Sequence, residues 1–198
     1  HERGKAMQEA VPIGKGSMIA VLGLNINEIK ALLEKREDKN LICEIANDNA
    51  DGQIILSGEK SGIDKFQQTL QKNKIKSIPL KVSAPFHCSL MKSAAKSMKE
   101  KIDSTNFKDP IFKIINNVTA TAENRSEIIK KLLVDQIYST VKWRESLINM
   151  SNNGIKNYIE IGPGKVLTGM VKRTVKNANC FSINSITDIK NLINEFKK

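Results

Sequence analysis

One of the chain's two histidines lies in its interior and the other, His1, stands at the terminus. His87 sits in the run Ser83-Ala84-Pro85-Phe86-His87-Cys88-Ser89-Leu90-Met91. An imidazole titrates near pH ~6.5, so small shifts let it take and return a proton at neutral pH. Pro85 restricts Ala84 to an extended conformation. Ser89 is then placed to cap the apolar-patterned segment that follows. His87 is therefore expected on a short loop between a strand and a helix, where catalytic side chains are commonly displayed. A partly buried histidine at a helix start, with no chemistry, is the structural alternative.

A second segment carries chemical punctuation. Gly162-Pro163-Gly164-Lys165 follows a strand-like run and opens a helix-like one, the place where many α/β proteins bind anions. It lacks the glycine spacing and the Ser or Thr of a phosphate-binding P-loop. A tight turn with structural glycines explains it as well. Cys43, Cys88 and Cys180 are odd in number and without metal-ligand spacing, so no metal site and a reducing cytoplasm are expected. Cys88 is set aside as a nucleophile, because a neighbour of the base projects in a different direction and the pair would need hydrogen-bond reach.

Composition bounds the rest. The chain has 198 residues, 40% apolar and 27% charged, ordinary for a soluble protein with one substantial domain or two small ones. No apolar stretch reaches membrane-spanning length and no leader pattern opens the sequence. The net charge of +11 comes mostly from dispersed lysines, and aromatics are only 5%. Without an arginine-rich arm or a nucleic-acid motif, that charge points to an acidic protein partner or an anionic ligand rather than to nucleic acid.

Residues 17–80 alternate regularly. Met18 to Leu22 reads as a strand, and Ile29, Leu32 and Leu33 as a helix face after Asn25 or Asn27 as cap. Leu41 to Ala46 is a second strand, 47–52 a turn, and Gln53 to Leu56 a third strand ending at Ser57-Gly58. Ile63, Phe66 and Leu70 mark a helix after Ser61 as cap, and Ile75, Ile78 and Leu80 a fourth strand. The order is βαββαβ, the ferredoxin-like arrangement, with two helices on one face of an antiparallel sheet.

After His87 the pattern predicts a helix to about Ile102, a strand over 111–118 and a helix over 128–137 that ends near Gln136. Further helices follow over 143–150, from about Val166 to Val175, and from Thr187. Strands are expected at 158–161 and from Cys180 to Ile183. Strands alternating with helices argue for an α/β layer with a parallel sheet.

These residues resemble a known family. The segment Arg3-Gly4-Lys5-Ala6-Met7-Gln8-Glu9-Ala10-Val11-Pro12 is similar to malonyl-CoA:acyl carrier protein transacylases of type II fatty acid synthesis. So are Asn47-Asp48-Asn49 with Gly52-Gln53 and Ser57-Gly58, Pro85-Phe86-His87-Cys88, Asn116-Asn117-Val118, and Gln136-Ile137-Tyr138. Val141-Lys142-Trp143 and Ile161-Gly162-Pro163-Gly164-Lys165-Val166-Leu167 continue the match in family order across essentially the whole chain.

The resemblance implies an acyltransferase-type, α/β-hydrolase-like large domain, partial here, formed by residues 1–16 and 81–198. A ferredoxin-like small domain at 17–80 is inserted in it. It also implies a ping-pong reaction: a serine in a Gly-His-Ser-x-Gly elbow takes malonyl from coenzyme A and passes it to the phosphopantetheine thiol of acyl carrier protein. On this resemblance His87 is the base and Arg3 binds the malonyl carboxylate. Gln136 lends a main-chain carbonyl that orients the histidine, Phe86 favours malonyl over branched acyl groups, and Asn47 borders the cleft. A neutral imidazole suits the first role and a guanidinium fork the second. Malonyl-CoA is substrate rather than cofactor, no cofactor is implied, the partner is the acidic acyl carrier protein, and a cytoplasmic monomer is expected.

The sequence departs from the family in one respect. No Gly-x-Ser-x-Gly occurs: Gly58-Glu59-Lys60-Ser61-Gly62 has its serine one position late, and Gly14-Lys15-Gly16-Ser17 has no partner glycine. The chain is thus expected to be the C-terminal portion of such an enzyme, with no nucleophile of its own and incomplete in catalysis. A polyketide-synthase-type acyltransferase is the alternative enzyme. A basic module that binds acyl carrier protein without chemistry is the non-enzymatic one.

Overall fold

The computed structural model describes residues 1–197. They form two compact units, one from His1 to Ser146 and one from Leu147 onward.

The first unit opens with α1 (Glu2–Glu9) and continues with β1 (Gly16–Leu22), α2 (Ile26–Lys35), β2 (Cys43–Ala50), β3 (Gln53–Glu59), α3 (Lys60–Lys72) and β4 (Ser77–Pro79). The four strands make one antiparallel sheet in the order β2-β3-β1-β4. The order βαββαβ is thus the one that the alternation of apolar runs and helical faces predicts. Ile19, Val21, Ile54 and Leu56 turn one sheet face toward Ile29 of α2 and Ile63, Phe66 and Leu70 of α3, forming the main apolar core. Met18, Ala20, Ala46 and Ile55 bury the opposite face, against which Leu80 and Phe86 pack. Both faces are covered, which is why Met18–Val21 reads as a continuous apolar run rather than an alternating one.

Local chemistry explains the boundaries. Asn25 Oδ1 accepts from the Asn27 and Glu28 amides at 2.9 and 3.1 Å, and Glu28 Oε2 accepts from the Asn25 amide at 2.8 Å. This reciprocal box starts α2. Asp51-Gly52 closes the β2–β3 hairpin, where the positive φ of 76° at Gly52 suits a tight turn. The turn expected over 47–52 shrinks to those two residues. β2 continues through Asn47, Asp48 and Asn49 because irregularities in its register, at 45–47 and 48–50, absorb the polar run. Ser61 does not cap α3: it lies inside the first turn, and the N-cap position is Glu59.

The remainder of this unit is a 3-10 turn at Ser89–Met91, then α4 (Lys92–Asp103), β5 (Ile114–Ile115), β6 (Ala122–Glu123) and α5 (Ser126–Asp135). α4 packs on α1 around Met7, Val11, Met91, Ala94, Ala95 and Ile137. The strand expected over 111–118 is only the two residues of β5, paired antiparallel with β6. Ile111 and Phe112 have no facing strand and stand 94% and 82% exposed. Beyond β5 the Asn116 side chain accepts from the Val118 amide at 2.7 Å and bends the chain back.

α6 (Trp143–Asn152) carries the chain into the second unit, which contains β7 (Asn157–Ile161), α7 (Val166–Thr174), β8 (Asn179–Ile183) and α8 (Ile186–Phe196). β7 and β8 pair in parallel, from Asn157 opposite Asn179 to Ile161 opposite Ile183, with α7 as the crossover. Among the described residues this is the one parallel pair, so the parallel sheet expected for the second half has two strands here. α8 starts one residue before Thr187, because Ser185 and Asp188 form a capping box.

Candidate active site

His87 is held on the loop between β4 and the 3-10 turn. The Pro85 ring lies against the start of β1, so close to Gly16 that any Cβ there would collide with it. The buried Cys88 thiol donates to the Pro85 carbonyl at 3.1 Å. Phe86 is half-buried and packs against both the α1–α4 cluster and the outer sheet face. Between these anchors His87 takes a left-handed backbone with φ 58°, a conformation that costs a side-chain-bearing residue roughly 1 kcal/mol or more and survives only where neighbours dictate it.

The ring has a defined partner. His87 Nδ1 lies 2.8 Å from the main-chain oxygen of Gln136. Gln136 is the C-cap of α5, so its carbonyl belongs to the last turn, where oxygens lack an intrahelical donor. A carbonyl can only accept, so Nδ1 carries the proton and the lone pair resides on Nε2. Among the described residues Nε2 has no hydrogen-bond partner. Gln136 is itself fixed, since its side-chain amide donates to Asn117 Oδ1 at 2.9 Å.

Electrostatics keep the ring neutral. Burial pushes the His87 pKa below its ordinary value, the positive charge of Arg3 adds to that, and the Gln136 hydrogen bond opposes both. Arg3 projects from the first turn of α1 into partial desolvation, which lowers its own pKa, although the residue is exposed by area. Among the described residues its guanidinium makes no ion pair. His87 and Gln136 are thus brought together by a hydrogen bond, while Arg3 acts on the ring only through its charge.

Asn47 is placed differently. It lies at an irregularity of β2, bridged in parallel to Val141. The Val141 amide donates to the Ala46 oxygen at 2.8 Å, and the Asp48 amide to the Val141 oxygen at 2.9 Å. The Asn47 side chain is half-buried and among the described residues is bonded to none of His87, Arg3 or Gln136.

Ser89 does not cap with its side chain the segment that follows the histidine. The N-cap position of the 3-10 turn is Cys88, which makes no side-chain cap bond. Ser89 gives its amide and hydroxyl to Glu44 of β2 instead, at 2.8 and 2.6 Å. Glu44 is a site neighbour that sequence reasoning misses, because nothing local announces a contact across 45 residues. Cys88 cannot act as a thiolate: it is fully buried and its pKa is raised, first by that burial.

The glycine-rich turn at 162–165 resolves toward structure. The Glu160 carboxylate accepts from the Leu167 and Thr168 amides at 3.0 and 2.7 Å, filling the start of α7 where an anion would bind. The Gly164 amide donates to Asn184 Oδ1 at 2.9 Å. Among the described residues no group of three or more His, Cys, Asp or Glu could hold a metal ion, and no helix is long and apolar enough to cross a membrane.

Comparison with known proteins sets this geometry in context. The model of the acyl transferase domain family matches residues 1–196. The malonyl CoA-acyl carrier protein transacylase of Bacillus subtilis is 37% identical over 198 residues, covering 100% of this chain and 62% of that protein. That of Haemophilus influenzae is 35% identical over 195 residues, covering 98% and 62%. The crystal structure of the Clostridium perfringens malonyl CoA-acyl carrier protein transacylase superposes with a TM-score of 0.93 at 32% identity, covering 99% of this chain and 62% of that one. A malonyl-transacylase solved in complex with its type II PKS acyl-carrier protein superposes with a TM-score of 0.92 at 34% identity, covering 98% and 62%. The chain therefore spans 62% of the length of these curated relatives, has the α/β acyltransferase fold of the solved ones, and belongs to the acyl transferase domain family.

Proposed function

We propose that this chain supplies the general base and the carboxylate-binding arginine for malonyl transfer from coenzyme A to the phosphopantetheine thiol of acyl carrier protein. The observation that carries the reading is the 2.8 Å bond between His87 Nδ1 and the Gln136 oxygen, which leaves a neutral imidazole with Nε2 open. The names of the relatives and the acyl-carrier-protein complex of one of them support the substrate pair.

In this mechanism a serine hydroxyl outside these residues gives its proton to His87 Nε2 as its oxygen attacks the malonyl thioester carbonyl. The C–S bond breaks and the departing coenzyme A sulfur takes the proton from Nε2. In the second half the acyl carrier protein thiol yields its proton to Nε2 and its sulfur attacks the malonyl–serine ester. The serine oxygen leaves with that proton. The Gln136 carbonyl accepts Nδ1–H throughout and so stabilises the transient imidazolium, the part that a carboxylate plays in a protease triad. Arg3, unpaired and beside the ring, pairs with the distal malonyl carboxylate as a two-pronged donor. Phe86, wedged between two apolar clusters, closes the space a branched acyl group would need, and Asn47 borders the cleft. The net charge of +11 suits an acidic carrier protein.

The domain assignment belongs to this proposal. Residues 17–80 form a ferredoxin-like insertion, and 1–16 with 81–198 form part of the acyltransferase core.

The test is transfer of radiolabelled malonyl from coenzyme A to acyl carrier protein. The 198 residues alone should give no robust turnover. The same residues joined to a segment bearing Gly-His-Ser-x-Gly should transfer malonyl and discriminate against methylmalonyl. Robust turnover by the 198 residues alone would overturn the absent nucleophile, and preference for the branched group would overturn the assignment to malonyl.

A further inference from the structure

The loop that carries His87 is pinned upstream by Pro85 against Gly16. Downstream the chain must enter the 3-10 turn, whose N-cap residue Cys88 makes no capping bond, its thiol donating back to the Pro85 carbonyl instead. The first amides of such a turn have no internal partner. The Ser89 amide instead donates to Glu44 Oε2 at 2.8 Å, and the Ser89 hydroxyl to Glu44 Oε1 at 2.6 Å. Both carboxylate oxygens of a residue on β2 thus close on one residue, two positions beyond the histidine. Hydrogen bonds to a charged acceptor are the stronger kind, and β2 is a rigid base paired along its length with β3.

We infer that Glu44 is a positioning residue for His87, its carboxylate clamping Ser89 so that the left-handed loop delivers the His87 ring to the Gln136 carbonyl. Glu44 does not touch the ring, and its charge is not among those that shift the His87 pKa. Its influence runs through backbone geometry. On the far side of His87 the buried Cys88 is tied back to Pro85; the clamp holds the next residue to β2 and so helps fix which ring nitrogen meets the carbonyl. The inference rests on reading His87 as the base, but its test reads the imidazole itself and needs no acyl transfer.

With two histidines in the chain, long-range nitrogen–proton NMR separates the His87 ring from His1 in the intact chain. Wild type should show the Nδ1–H tautomer with its bonded proton. Glu44→Ala should lose that proton signal and mix the two tautomers, while amide signals of β1 and β3 stay in place. Glu44→Gln keeps an oxygen that can accept from one donor and should restore part of the signal, which a loss of charge alone would not. If Glu44→Ala fails to fold, Ser89→Ala decides, since it deletes one of the two bonds: a weakened Nδ1–H signal supports the clamp. A wild-type tautomer in Glu44→Ala, or in Ser89→Ala where the first variant does not fold, overturns it. Absence of malonyl transfer by the completed enzyme with the tautomer response intact would overturn the function and leave the clamp standing.

Discussion

His87 Nδ1 and the Gln136 carbonyl oxygen lie 2.8 Å apart although 49 residues separate them in sequence. A helix end with a spare acceptor and a loop with a forced backbone meet there, and the meeting selects the tautomer that leaves the Nε2 lone pair open.

The half-buried, neutral state of His87 makes the fold sensitive to acid. Its folded pKa is depressed below the ordinary 6.5, so below that value the unfolded chain binds the proton more readily. The His87 contribution to stability is present above about pH 6.5 and is lost as the pH falls through the folded pKa. Urea midpoints at about pH 7.5 and 5.5 should fall with acidification in wild type. The fall should be smaller in His87→Gln; equal falls in the two proteins would contradict a half-buried neutral ring.

Arg3 holds the imidazole pKa down through its charge. Arg3→Met should therefore raise the His87 titration midpoint, with His1 as an internal reference, and added salt should shrink the difference. An unchanged midpoint at low ionic strength would place Arg3 too far away to share a substrate with the base.

Gly16 leaves room for the Pro85 ring. Gly16→Ala forces strand or loop to move, an overpacking cost of about 1–3 kcal/mol, and should disturb the His87–Gln136 bond. Denaturant melts and the Nδ1–H signal check both effects. Wild-type stability would mean that the loop is not seated on β1.

Asp48 is fully buried and pairs with Arg144, whose Nε lies 3.0 Å from each carboxylate oxygen and whose Nη2 lies 2.8 Å from Oδ2. Asp48→Ala leaves the guanidinium only the exposed Asp51, 3.6 Å from its Nε, and should cost about 3 kcal/mol in urea melts. The double variant Asp48→Ala/Arg144→Met should lose less than the single one. An equal or greater loss in the double variant would show that the ion pair is not what Asp48 contributes.

Much was legible in the residues. An asparagine cap at 25 or 27 before Ile29, Leu32 and Leu33 announces α2, the turn-rich stretch ending at Gly52 announces a break between two strands, and the spacing of Ile63, Phe66 and Leu70 announces α3, because each signal is local and backed by short-range chemistry. Where the signal needed a distant partner, local reading failed. Ser89 has the residue type of a helix cap, yet its donors go to Glu44. Asn47-Asp48-Asn49 has the composition of a turn, yet β2 runs through it, with Asp48 answered by Arg144 from 96 positions away. Ile111 and Phe112 have strand propensity but no facing strand. The 162–165 turn matched an anion site until Glu160 was seen filling the helix start.

The sequence by itself pointed to the residues that could do chemistry, one interior histidine after a proline, an arginine near the start of the chain and no serine elbow among 198 residues, and to the βαββαβ order of residues 17–80. The histidine's setting and the βαββαβ order follow from residue type and periodicity, which are local quantities; the parts of the arginine and of the serine elbow are what the family resemblance implies. Only the tertiary structure decided the state of the His87 ring. Which nitrogen of His87 holds the proton depends on the Gln136 oxygen, the depression of its pKa on burial and on Arg3, and the course of its loop on Gly16 and Glu44. Each of these is a contact between segments far apart in the chain, and packing alone sets such contacts.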